Sequence, residues 1–94
     1  MDEARLEAAK NAHTDAATSL DTWRSNVRSA SWQHLVEVRQ TYRTADYASR
    51  SGWTFFNIKG NHYRLAVVIS YQAQTVAIVD LYTHEEYDRL SEKR

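Results

Sequence analysis

The chain has 94 residues with no cysteine and no proline, so it makes one domain, residues 1–94, and excludes a second core, disulfides and thiolate chemistry. Twelve basic side chains balance twelve acidic ones, but residues 1–23 carry −3, residues 24–64 carry +5 and residues 65–94 carry −2, so a local basic patch can sit between acidic ends and face a polyanion. The longest apolar run, residues 65–69, is far too short to span a membrane, and the MDEAR start lacks the pattern of a signal peptide; the expectation is a cytoplasmic protein with no membrane partner.

Residues 3–28 read as helix, because Leu6, Ala9, His13, Ala16, Ala17, Leu20, Trp23 and Val27 recur at spacings of three and four. The Thr14-Asp15 and Thr18-Ser19 pairs are the candidate breaks. A second helix is expected from a capping Ser31 to about Arg39, with Trp32, Leu35, Val36 and Val38 apolar. Residues 44–52 read as loop. Strands follow at about 53–59, 62–71 and 75–82. Thr83 and Glu86 form a capping box that opens a short last helix, fraying into Ser91-Glu92-Lys93-Arg94. The pattern is α+β, with two N-terminal helices packed on a three-stranded antiparallel sheet and a short C-terminal helix.

The strongest turn signal is Gly60-Asn61, between two β-rich runs. A two-residue loop of the primed type there needs positive φ at one or both positions. It sets Lys59 against His62, Asn57 against Arg64 and Phe56 against Leu65. Side chains alternate along a strand, so Phe56, Ile58, Tyr63, Leu65, Val67 and Ile69 share a core face. The reverse face gathers Asn57, Lys59, His62 and Arg64 near the turn, with Phe55, Ala66 and Val68 further along.

The phrase FNIKGNHYRL (56–65), a hydrophobic strand, and then THEEYD (83–88) resemble the HigB-type toxins of bacterial toxin–antitoxin modules, in the RelE/ParE superfamily. The likeness extends more loosely to Trp23, Trp32, VRQTY (38–42) and the Ala45-Asp46-Tyr47 triplet. It implies a RelE/ParE-like fold with a fourth strand, expected before the first helix, where the chain reads Met1-Asp2-Glu3. It also implies an mRNA interferase, an endoribonuclease cutting mRNA on the ribosome. The partner implied is a cognate helix-turn-helix antitoxin (HigA-like). HigB-like chains often carry Arg or Lys in the last strand; here that stretch reads Ala77-Ile78-Val79-Asp80-Leu81. A three-residue turn at Gln72-Ala73-Gln74 puts Asp80 on the patch face, where it partly neutralises Arg64.

Among these residues His84 is the candidate acid and base, since imidazole trades protons near neutrality. Arg64 is the candidate phosphate ligand, its planar fork suited to the charge that develops at phosphorus; the plainer reading pairs it with a carboxylate such as Asp80, or with the antitoxin. Lys59 completes the catalytic set. Asn57, His62 and Tyr87 are the candidate RNA contacts, although Asn57 serves equally to pin the hairpin and Tyr87 to fill a core. His13 and His34 read as structural. His84 and Asp88 at i, i+4 lack a second histidine, so no metal or cofactor is expected. The competing function is a catalytically weak module that binds an antitoxin or the ribosome. A gyrase-poisoning relative fits the fold but not the THEEYD phrase.

Overall fold

A computed structural model describes residues 2–90. Helix α1 spans Glu3–Ala12, α2 Ala17–Ser29 and α3 Leu35–Thr41; strands β1 Asp46–Ala48, β2 Trp53–Ile58, β3 Tyr63–Ser70 and β4 Thr75–Thr83 follow, and α4, His84–Leu90, closes the chain. The four strands form one antiparallel sheet in the order β1-β2-β3-β4. The α+β class and the antiparallel meander are as expected; the fraying expected beyond residue 90 lies outside the described residues.

The long N-terminal helical stretch breaks at the first of its two candidate sites. Asp2 caps α1 by accepting from the Arg5 N–H at 3.3 Å. His13 ends α1, and Thr14–Ala16 make a single 3₁₀ turn before α2 restarts. The two helices are clamped by Glu3–Arg24 at 2.8 Å, by Glu3–Arg28 and by Lys10–Asp21 at 2.7 Å. Burial opposes ionisation of Glu3, but Arg24 and Arg28 outweigh it and hold the carboxyl below its ordinary value. Leu6 of α1 and Leu20, Trp23 and Val27 of α2 face the sheet.

The second helix starts later than expected and is not capped by Ser31. Its N-cap is His34, and the Glu37 carboxylate accepts the Gln33 N–H at 2.6 Å. Tertiary packing decides this. Trp32 must reach the core, where its ring stacks on Phe56 at 6.1 Å, and its carbonyl accepts the Gln74 side-chain amide at 2.7 Å. The fourth strand also differs in place from the expectation. It is β1, inside the segment read as loop, pairing Asp46 with Phe55 and Ala48 with Trp53. Three residues are too few to show a period in sequence; pairing on β2 and the Gly52 turn at φ +77 make the strand.

Phe56 is the hub of the main core. It is fully buried and meets Trp23 at 5.5 Å and Tyr42 at 5.2 Å, both edge-on, besides Trp32. Ile58, Tyr63, Leu65 and Val67 share its face and its cluster, as the alternation requires. The reverse face holds a second, smaller cluster: Ala48, Phe55 and Ala66, closed over by Trp53, Val79, Tyr82 and Tyr87. Helices therefore lie on both sides of the sheet, with α4 on the reverse one.

Register follows the expected hairpin. Asn57 lies opposite Arg64, and Phe56 opposite Leu65. The turn has the expected positive φ at Gly60 (+63) and differs in one respect: φ is positive at Lys59 (+52) as well. The β3–β4 turn holds four residues, 71–74, instead of three, since Ser70 pairs with Thr75. A bulge between Ala66 and Val67 then shifts the register, so Val67 opposes Ile78 while Ala66 opposes Asp80. That one extra residue puts Asp80 on the reverse face, where the shorter turn would have put it.

Candidate active site

The hairpin tip and the start of α4 meet because β4 ends beside the beginning of β3. Tyr63 pairs with Thr83, and the His62 carbonyl accepts the His84 backbone N–H at 3.0 Å. The capping box forms as expected: the Glu86 carboxylate accepts the Thr83 N–H at 2.8 Å, and the Thr83 hydroxyl accepts the Glu86 N–H at 3.2 Å. It turns the chain sharply from strand to helix and so fixes where His84 emerges. Between the two elements lies an open groove of about 700 Å³, lined by Lys59, Gly60, Asn61, His62, Tyr63, Thr83, His84 and Glu85.

Three of the expected site residues, Lys59, His62 and His84, line this groove. His84 Nδ1 lies 3.1 Å from Asp88 Oδ2, one helical turn on. That contact occupies Nδ1 and leaves Nε2 facing away from Asp88. Arg64 lies beside the groove: its guanidinium donates to the Asn61 side-chain oxygen at 2.6 Å and to the Asn61 backbone carbonyl at 3.2 Å. The guanidinium also lies 5.0 Å above the centre of the Tyr87 ring, within reach of a cation–π attraction. Asn57 stands directly across from Arg64, half-buried on β2. Asp80 forms no ion pair with Arg64 among the described residues; its carboxylate accepts the Leu81 N–H at 2.8 Å instead.

Lys59 departs from the face expected for it. Its positive φ takes it out of strand alternation, and its ammonium reaches Asp15 in the 3₁₀ turn at 3.1 Å. The Tyr63 hydroxyl donates to the same carboxylate at 2.7 Å. These two hydrogen bonds, Tyr63 first and Lys59 second, hold the Asp15 carboxyl below its ordinary value of 3.8; the bond to Asp15, with burial behind it, raises the Tyr63 phenol. Because the folded pKa of Asp15 is depressed, its contribution to stability is full above that ordinary value and is lost as pH falls through the folded one. Asp15→Asn is expected to flatten the acid limb of thermal stability below about pH 4, read as Tm against pH. An unchanged acid limb would show that the contact does not form in solution.

Asn61, Asp15 and Asp46 are the residues that the sequence reading did not assign. Asn61 looked like a turn former only. Asp15 looked like a helix breaker, and nothing local signals that it meets Lys59 forty-four residues later. Asp46 stood in the Ala45-Asp46-Tyr47 triplet but without a role; its carboxylate accepts the Tyr87 hydroxyl at 3.1 Å. His13 ends α1 and packs on Tyr63 at 5.0 Å, and His34 begins α3. Among the described residues no group of three or more His, Asp or Glu is placed to hold a metal ion, and no helix is long and apolar enough to cross a membrane.

N-terminal helices on one face of a four-stranded antiparallel sheet, with a histidine- and lysine-lined groove where the last strand meets the last helix, make a RelE-like fold. The chain belongs to the HigB_toxin family, the RelE-like toxic component of a toxin–antitoxin system, whose pattern matches residues 16–90. Such a component implies an antitoxin as its partner. No curated protein matches the chain significantly in sequence.

Proposed function

We propose that this toxin is a cytoplasmic mRNA interferase of bacteria, an endoribonuclease that cuts mRNA on the ribosome without a metal. The observation that carries the reading is the convergence of Lys59, His62 and His84 on one groove, with Arg64 braced beside it through Asn61. In the reaction a base takes the proton of a ribose 2′-hydroxyl. That oxygen attacks the adjacent phosphorus, the bond to the 5′-oxygen breaks, and an acid protonates the leaving oxygen. The products are a 2′,3′-cyclic phosphate and a 5′-hydroxyl end. His84 supplies the proton transfer through Nε2, and Arg64 stabilises the extra charge at phosphorus. Lys59 and Asn57 are auxiliaries to the phosphate and ribose. His62 contacts the RNA backbone at the groove, and Tyr87 acts on the RNA through Arg64, which lies on its ring.

The antitoxin in this reading is a small helix-turn-helix, HigA-like DNA-binding protein that covers the groove. The Asp15–Lys59 ion pair, which spends part of the site's positive charge, favours a second reading: a weakly catalytic module that binds antitoxin or ribosome. One experiment separates the two. Induction in a bacterial host is expected to arrest growth and to create new mRNA 5′ ends within reading frames, both suppressed by co-expressing the adjacent antitoxin frame. Arrest without new ends would favour the binding module, and purified cleavage lost on adding chelator would overturn the metal-free mechanism.

A further inference from the structure

On the reverse face of the sheet a chain of contacts runs from β1 to Arg64. Asp46, on the edge strand, accepts the hydroxyl proton of Tyr87 from α4 at 3.1 Å. The Tyr87 ring stands edge-on to Phe55 at 5.1 Å and 71°. Its centre lies 5.0 Å below the Arg64 guanidinium. Asn61 holds the same guanidinium from the hairpin side, through both its side-chain and its backbone oxygen. Two side-chain clamps, from α4 and from the turn, thus meet on one cation in β3.

We infer that Asp46 and Tyr87 are positioning residues that hold the Arg64 guanidinium in one orientation, an inference that rests on reading Arg64 as the charge-stabilising group. An exposed arginine samples many rotamers and must give them up when it binds a phosphate. A guanidinium already seated over a ring and bonded to a fixed oxygen has fewer to lose. The hydroxyl-to-carboxylate hydrogen bond fixes the ring in turn. Sharing its proton with Asp46 also enriches the ring in electron density and strengthens its pull on the cation. β1 thereby acquires a task beyond sheet pairing, since it carries the carboxylate that anchors the support. The strand is only three residues long, enough to place Asp46 opposite Phe55 and so beneath Tyr87.

The test reads Arg64 directly and cleavage separately. In folded Asp46→Ala and Tyr87→Phe variants, the Arg64 Nε–H resonance is expected to move away from its ring-shifted wild-type position. Under single-turnover conditions, cleavage of an mRNA presented on the ribosome should fall by on the order of ten- to a hundredfold. Asp46→Asn, which keeps an oxygen acceptor for the hydroxyl, should restore both. In an Arg64→Ala background, Asp46→Ala should cost nothing more in rate. An Arg64 resonance unmoved in Asp46→Ala overturns the inference whatever happens to the rate, because loss of stability alone would then account for the variant. A resonance that moves in a protein whose wild type does not cut ribosome-bound mRNA supports the positioning and sinks the cleavage reading instead.

Discussion

Cells induced for the His84→Ala or the Arg64→Ala variant are expected to keep growing at expression levels where the wild type arrests them. His84 lies at the first position of α4, exposed at the groove, with its side chain fixed by Asp88 and its backbone tied to His62. Removing the imidazole takes away the proposed proton carrier and leaves the Thr83–Glu86 cap intact. Removing the Arg64 guanidinium takes away the planar cation while β3 keeps its pairing with β2 and β4. One such donor is worth about 2–4 kcal/mol of transition-state stabilisation, or a loss on the order of thirty- to a thousandfold in rate. Both variants should retain wild-type circular dichroism and cooperative unfolding. If both stay as toxic as the wild type at matched levels, the site assignment is wrong.

The largest effect on stability is expected at Phe56. Its ring is fully buried and is touched by Trp23, Trp32 and Tyr42, so it joins α2, the segment before α3 and the segment after it to the sheet. Phe56→Ala removes a ring that three rigid aromatic neighbours cannot collapse to replace. The expected loss is about 3–5 kcal/mol, a large share of the roughly 5–15 kcal/mol that a domain has in total. Each kcal/mol lowers Tm by about 4–8 °C at this size, so the variant should be largely unfolded or insoluble at 37 °C. A soluble Phe56→Ala protein with Tm within a few degrees of wild type would contradict the packing described. The contrast with His84→Ala matters: one abolishes toxicity through the fold, the other with the fold intact.

Much of this protein is determined locally. Ala-rich spacing of three and four makes the first two helices, with their break at Thr14-Asp15. Gly60 tolerates the positive φ of the hairpin turn, and strict alternation then places Asn57 opposite Arg64 and Phe56 on the core face. Thr83 and Glu86, three apart, carry the cap that starts α4. These features depend on residues that are neighbours in sequence or on opposite arms of one short hairpin, so their physics is visible in the string of letters.

Only the tertiary structure decided the rest, because the partners are distant or the signal is shorter than a period. Ser31 is a good capping residue, but burying Trp32 against Phe56 outweighs a cap and moves the helix start to Leu35. β1 exists through β2, with too few residues to announce itself. The face of Asp80 depends on a bulge in the β3–β4 ladder that composition does not mark. Lys59 left its expected face because a positive φ at the turn turns it toward Asp15, on a different element altogether. Arg64 was legible as a cation on the reverse face, but its bracing was not. Asn61, Tyr87 and Asp46 come from a turn, a helix and an edge strand, and only folding makes them neighbours.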